Sequence, residues 1–429
     1  MPFAKIPSHR SQDQKVRLFL FAILWVSWLG LGSTRATTYY VSPGGSDHQS
    51  GLSAALAFGT LQYAVSVLNP GDTLLALSGT YKNPDYDSPK HHLHVAWLTR
   101  SGTPDAWITI RAAPGAVPHL VFNGWGGFGA QNVQYVEING FQITGNNANV
   151  TYDYAYSQRL IANPSCNGNG ISFDGRKQVT DHPHHLRILN NVISECGGEG
   201  IGAIQCDYVT IAGNRVFDNC WYNIYGTSGI STYQNWRFDD NTGYKMIIRN
   251  NVLYNNHGLI PWIRTGQLSD GNGIIIDDSR ETQNGATLGP YTGRTLVAGN
   301  ISVNNGGSGM HAFLSEHVDF INNTTWHNSQ VLAYGEIFAN SSNDVNILHN
   351  ICVAAPGKPM NIRHGDTNVV SNGNIYFGGK APENKGPQDQ ITDPLLVNPQ
   401  PDPTQGNFGV QPGSPALSPN AGSPAIIGV

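Results

Sequence analysis

Hydrophobic and polar positions alternate in short runs along most of the chain, and the runs return with the same ending. Leu186-Arg-Ile-Leu-Asn-Asn191, Val209-Thr-Ile-Ala-Gly-Asn214, Met246-Ile-Ile-Arg-Asn-Asn251, Thr295-Leu-Val-Ala-Gly-Asn300, Val318-Asp-Phe-Ile-Asn-Asn323 and Val345-Asn-Ile-Leu-His-Asn350 are six copies of a strand closed by Asn. The closing Asn residues are 23, 37, 49, 23 and 27 residues apart, so the shortest interval is the repeat and the longer ones hold insertions. Period-2 alternation at that interval excludes helical repeats and leaves no room for crossover helices, which predicts strands stacked in parallel, coil upon coil. The expected fold is all-β: a single-stranded right-handed parallel β-helix.

An Asn at the same place in every coil has a physical cause. Its amide can bond to the amide above and below, and Asn tolerates the left-handed backbone of a sharp turn. These Asn residues are therefore read as structural. A second strand family follows in each coil, starting at Gly170-Ile171, Gly200-Ile201, Gly229-Ile230, Gly273-Ile274 and Gly309-Met310, with further members at Glu336–Ala339 and Met360–Arg363. Residues two apart share a face, so the Ile/Met positions should stack inward while Asp174, Tyr233, Asp277 and Arg363 face outward.

The ends need covers, because unpaired strand edges template aggregation. Thr60 ahead of Leu61, Ala64, Val65 and Leu68 predicts a short N-capped amphipathic helix within an N-terminal cap of about residues 37–80. Residues 391–429 carry eight prolines and little alternation, which predicts an irregular wrap on the last coils. One β-helix domain, 37–429, accounts for the chain after its leader.

That leader is residues 1–36. Lys5, Arg10, Lys15 and Arg17 precede an apolar run from Leu18 to Leu31, and Thr34-Arg35-Ala36 offers small residues at a cleavage site. The run falls short of the roughly 20 residues that span a bilayer, so a signal peptide is expected, with a secreted or periplasmic product and no membrane contact after cleavage. Its removal takes five of the 24 basic and one of the 29 acidic residues, leaving 19 against 28. Such an acidic chain is a poor partner for nucleic acid or anionic membranes, and it has carboxylates to spare for cations. Charged residues are only 12% of the whole, against 50 glycines, which argues further against bundles and coiled coils. Five cysteines, Cys166, Cys196, Cys206, Cys220 and Cys352, are too few for a disulfide framework.

On three stretches the chain resembles the pectate-lyase-like superfamily of secreted right-handed β-helix proteins, and most of all family 9 polysaccharide lyases and their relatives. These are Tyr39-Tyr-Val-Ser-Pro-Gly-Gly-Ser-Asp47 with Asn69-Pro-Gly-Asp-Thr73, the Asn-ended coils, and Phe408-Gly-Val-Gln-Pro-Gly-Ser-Pro-Ala416. The resemblance implies an extended polysaccharide bound along an outer groove, and in family 9 calcium held by an Asp cluster with a lysine as base; a monomer is expected. Here Asp277-Asp278 stands where such a cluster would begin, followed by Ser279-Arg280, and no lysine falls in the aligned outward column.

Elimination from a uronate needs a cation on the carboxylate and a base near the C5 proton. Asp277 and Asp278, with Asp270 from the preceding loop, are the expected Ca2+ ligands. His311, one coil on, is the expected base, with Asp277 and Asp278 completing the catalytic set. Arg280 or Arg363 would pair with an acidic sugar, and Asp174, Tyr233 and Glu316 would contact others. Trp236 and Trp262, in the long insertion between Tyr233 and Asp277, would stack on sugar rings. Hydrolysis by a carboxyl pair drawn from Asp277, Asp278 and Glu316 is the alternative. A non-catalytic glycan-binding β-helix is a third reading.

Overall fold

A computed structural model describes residues 36–417 apart from Val179 and Ala286. The expected export segment lies outside the described residues. The chain winds into three parallel sheets, visited in turn by every coil. Sheets 1 and 2 have eleven strands each and sheet 3 has eight. In one coil, His184–Leu189 lies in sheet 1, Val192–Ser194 in sheet 2 and Ile201–Ile204 in sheet 3. The Asn-ended family is sheet 1 and the second family is sheet 3, in the register read from the sequence: Ile171, Ile201, Ile230, Ile274 and Met310 pair in succession, followed by Ile337. All six are fully buried, each contributing about 1.5–3 kcal/mol by leaving water.

Sheet 2 is absent from the sequence reading because its strands are about three residues long, too short for alternation to register. Sheet 3 also starts earlier than expected, with His94–Trp97 and Gly126–Ala130. In the opposite direction, Met360–Arg363 is not a strand. Met360 still packs inward and its carbonyl accepts from Glu336 N, but beyond it the chain runs as an exposed loop.

Each corner is built by side chains. Between sheets 1 and 2, Asn214 Oδ1 accepts from the backbone N and Nδ2 of Asn191 at 2.9 and 3.1 Å. Asn251, Asn300, Asn323, Asn350 and Asn374 repeat that pair of bonds. A second ladder of Asn219, Asn256, Asn305 and Asn328 lines the corner between sheets 2 and 3, and Ser279, Ser315 and Ser342 line the third. All three end on a carboxyl group: Asp389, Glu336 and Asp366 accept from the last residue of each. A carboxyl group brings two acceptor oxygens, so it can finish a ladder whose last donors have no further coil to meet.

The ends are covered as expected in kind. The helix Leu61–Ser66 is capped by Thr60, whose Oγ1 accepts from Tyr63 N at 3.1 Å, and it buries Leu61, Ala64 and Val65. The region 37–80 is more than a cap, since Thr38–Val41, Thr73–Ala76 and Gly79–Lys82 already pair within sheets 1 and 2. The tail is also more regular than expected. Leu396–Asn398 and Asn407–Val410 form an antiparallel pair, and Leu396 and Phe408 pack with Val303, Val353 and Ile375 on the outer side of sheet 2. All five cysteines are free and buried. Among the described residues no helix is long and apolar enough to cross a membrane.

Candidate active site

Among the described residues, sheet 3 is flanked by long insertions. Two outward columns run up sheet 3: Ser172, Gly202, Ser231, Ile275, His311 and Phe338, and beside it Asp174, Ile204, Tyr233, Asp277, Phe313 and Asn340. The chain reaches sheet 3 through long insertions at residues 218–229 and 255–273, packed by Tyr222, Ile224 and Ile260. It leaves the strand Ile274–Asp277 through a second insertion that ends at Arg294. These segments flank the two columns, and the outer face between them is the candidate groove.

Asp277 ends its strand facing the groove, where burial and the nearby charges of Asp270 and Asp278 hold its carboxyl well above the usual range. One oxygen accepts from Gln283 Nε2 at 2.8 Å. Asp270, in left-handed backbone at φ 63°, accepts from Ser269 Oγ at 2.6 Å and Asn272 Nδ2 at 3.1 Å. Burial raises its carboxyl too, against those two hydrogen bonds. A carboxyl pushed up by a second acid nearby is the kind of arrangement that acid and base roles use.

His311 sits one coil on. Its ring stacks on Phe338 at 4.7 Å with Tyr334 edge-on, and Nδ1 meets Ser308 Oγ at 2.7 Å. Ser308 bonds to Asn272 Oδ1 through both its N and its Oγ, so a continuous chain of hydrogen bonds joins Asp270, Asn272, Ser308 and His311. Burial lowers the imidazole to about 3. It stays neutral at ordinary pH and is too weak a base for efficient proton abstraction, for which a pKa near the working pH is best.

Asp278 lies beside Asp277 in sequence but turns away. Oδ1 accepts from Thr282 N and Oγ1, Oδ2 from Gln283 N and Gln234 Nε2, at 2.7–2.8 Å, and the residue is fully buried. Its carboxylate holds the turn together. Asp278 and Asp270 have both oxygens committed to N–H and O–H donors, and of the three expected ligands Asp277 alone keeps an oxygen without such a donor, which is few for a calcium ion that takes six to eight oxygens. Among the described residues no group of three His, Cys, Asp or Glu is arranged to hold a metal, the clusters His91-His92-His94 and His182-His184-His185 included.

The other expected contacts scatter. Asp174 is in the groove, three coils before Asp277, but binds Arg176 bidentately at 2.9 and 2.7 Å. Tyr233 stands in the groove next to Asp277, and Trp262 is half-buried in the wall. Trp236 lies past the end of sheet 3, stacked on His182 at 5.0 Å. Arg280 donates to Ser341 O at 3.1 Å. Glu316 opens a sheet 1 strand, off the groove floor. Arg363 is in the exposed loop, for the reason that its expected strand does not form.

Sequence reasoning missed Glu199. It precedes a sheet 3 strand, is 2% exposed, and faces the hydroxyls of Ser172 and Ser231. Burial raises it to about 7, although the Arg176 charge opposes this. A Cβ on Gly202 would fall 1.9 Å from Glu199 Oε1, so only glycine lets the carboxyl lie there. The signal was present in Gly197-Gly198-Glu199-Gly200, an acid among glycines. Asn272, Ser308 and Tyr334 were missed because they look like ordinary turn residues.

Fold and groove define a parallel β-helix protein with paired acids on one outer face. The profile of the Pel9A-like right-handed β-helix region matches residues 39–350. The chain belongs to this family, in agreement with the resemblance read from its opening stretch and coils. No curated protein matches it. Among solved structures, the GH136 lacto-N-biosidase from Eubacterium ramulus superposes with a TM-score of 0.52 at 14% identity, over 83% of this chain and 67% of that one. Pectate lyase Pel9A gives 0.47 at 14% identity over 92% and 91%, and a rhamnogalacturonan lyase 0.49 at 14% over 90% and 96%. Likeness at this level is likeness of fold.

Proposed function

We propose that the protein is a carbohydrate-active enzyme that hydrolyses glycosidic bonds in the groove of sheet 3. The observation that carries this reading is the pair Asp270 and Asp277. Glycoside hydrolysis needs one carboxyl still protonated at working pH and a second that can act ionised. Asp277, buried and facing two negative neighbours, is the proton donor to the leaving oxygen. Asp270, relieved by Ser269 and Asn272, is the nucleophile or the base that activates water. Neutral His311 and the Tyr334 ring orient the sugar, and Phe338 backs the imidazole. Export and a monomeric state belong to the same proposal, as expected from the sequence.

Elimination is the second reading, favoured by membership of the Pel9A-like family. It lacks a base of suitable basicity at His311 and a calcium site at Asp277-Asp278. The two chemistries leave different ends. A panel of neutral and uronate-containing glycans, incubated with the mature protein, should yield new reducing ends without ultraviolet-absorbing unsaturated ends, unaffected by a chelator. Unsaturated products that vanish with chelator would replace hydrolysis by elimination, and binding without new ends would leave a glycan-binding protein.

A further inference from the structure

His91 and Ser165, 74 residues apart in sequence, meet beside the first coils of sheet 3. His91 belongs to the loop that leads into the strand His94–Trp97, and Ser165 to the short helix Pro164–Asn167 that leads into Asn169–Asp174, two coils on. Both are half-buried, and a polar side chain holds each segment. Asp85 accepts from His92 N at 2.6 Å and from Asn83 Nδ2 at 2.7 Å, which ties down the turn carrying the imidazole. Asn163 Oδ1 accepts from Ser165 N at 3.0 Å.

Ser165 Oγ lies 2.7 Å from His91 Nε2, and His91 Nδ1 lies 3.0 Å from Ser88 O. A carbonyl oxygen only accepts, so Nδ1 carries a proton. In the neutral ring Nε2 is then the bare nitrogen, and the hydroxyl must donate to it. Hydroxyl, base and a third group that orients the base make up an activated nucleophile. The pair lines a pocket of about 360 Å³ together with Tyr86, Asn123, Asn149 and Tyr154, a size within the range of small-ligand sites. Asn146, also in the lining, donates from Nδ2 to Ser165 O at 3.1 Å. Its amide is thus beside Ser165, and the second N–H is the donor for an oxyanion formed there. Among the described residues, none with an acidic, Lys or Arg side chain lines the pocket, which suits a neutral substrate. Two tyrosine rings and three amides suit a sugar, with its apolar faces and its hydroxyls.

We propose that Ser165 and His91 form a second catalytic site, which hydrolyses small neutral acyl esters of sugar hydroxyls. Ser165 Oγ bonds to the ester carbonyl carbon and passes its proton to His91 Nε2. The bond from that carbon to the sugar oxygen breaks, and the imidazolium returns the proton to that oxygen. Water then attacks the acyl-serine with the same nitrogen as base, so that ester and water become a carboxylic acid and a free sugar hydroxyl. The orienting group is a carbonyl rather than a carboxylate. It sets the tautomer but brings no full charge to stabilise the imidazolium, which fits esters better than the more resistant amides. The ester step stands on this geometry alone; only the sugar as its alcohol rests on the carbohydrate-active reading.

The protein should hydrolyse p-nitrophenyl acetate and release acetate from O-acetylated glucose, neither of which contains a bond between sugars. Ser165→Ala and His91→Gln should each lower kcat by about 10²-fold or more, and the double variant no further, because the two residues act as a unit. A fluorophosphonate, which gives up fluoride to a serine oxygen, should label Ser165 in the wild type, read by mass spectrometry of the peptide, and about tenfold less or lower in His91→Gln. The wild-type label needs no variant to fold. Unchanged ester cleavage in Ser165→Ala, or a wild type whose Ser165 stays unlabelled, overturns the site. Cleavage of p-nitrophenyl acetate without acetate from the sugar overturns the substrate class. Ester cleavage by a protein that cuts no glycan upholds this site and removes the glycosidase from the groove of sheet 3.

Discussion

The corner between sheets 1 and 2 and the floor of the sheet 3 groove both bury polar groups, and they treat them in opposite ways. In the corner, Asn300 gives and receives four hydrogen bonds: its Oδ1 accepts from Asn251 N and Nδ2, and its Nδ2 donates to Ile248 O and Asn323 Oδ1. On the floor, Asp277 has one side-chain donor for a half-buried carboxyl beside two other acids. Full satisfaction produces rigidity, and partial satisfaction produces shifted acidity. The contrast separates scaffold from chemistry in a molecule where both are polar and buried.

Four substitutions test that contrast, beginning with the strongest. Asp277→Asn should lower kcat by about 10²–10⁴-fold, the usual worth of a general acid, while leaving stability equal or higher, since it removes a buried acid held above its normal range. A loss of activity accompanied by a large fall in denaturant midpoint would make Asp277 a scaffold residue after all.

Asn300→Ala should do the reverse. It strips partners from several buried groups at about 1–3 kcal/mol each, so a destabilisation of about 3 kcal/mol or more in urea titrations is expected, with little change in the pH profile of whatever activity remains.

Glu199 sharpens the comparison by pH. Its folded value of about 7 lies above the ordinary 4.5. The native state therefore holds a proton that the unfolded chain has released, and stability present below about pH 4.5 is lost as pH rises through 7. Glu199→Gln removes this slope. The variant should gain on the wild type between those values by up to about 3 kcal/mol, from the rule of about 1.4 kcal/mol per pKa unit. Parallel stability curves would mean that the Arg176 charge keeps Glu199 ionised throughout, against burial and Asp174.

The weakest effect is expected at Arg363. It lies on an exposed loop outside the columns, so Arg363→Ala should change kcat/KM less than about twofold on any glycan. A larger loss would bring that loop into the groove.

The scaffold was legible because its causes are local and repeated. Alternation announces a strand, Asn announces a turn with an amide partner, and each coil repeats both within one window of sequence; the left-handed backbone of that turn falls on the residue before the ladder Asn, at Asn190, Gly213, Asn250, Gly299, Asn322 and His349, rather than on the Asn itself. Even the sheet 3 register could be read, since Ile171, Ile201, Ile230, Ile274 and Met310 each follow a glycine. Sheet 2 escaped because three residues carry no period, and the serine and second asparagine ladders escaped with it.

The groove was legible only in its columns. Asp174, Tyr233 and Asp277 were placed outward by alternation alone, and His311 fell one coil from Asp277 as stacking requires. The insertions have no period, so nothing in the sequence told that Asp278 would turn into its own loop or that Trp236 would pack on His182. Acidity was equally hidden: His311 and Glu199 are ordinary titratable residues until burial shifts one down and the other up. By itself the sequence determined that this chain coils, where its strands lie and which side chains point out, because those follow from nearest neighbours along the chain and the coil repeat. Only the tertiary structure decided which acids meet and which are already satisfied, because those depend on loops folding back over a distance that no local pattern encodes.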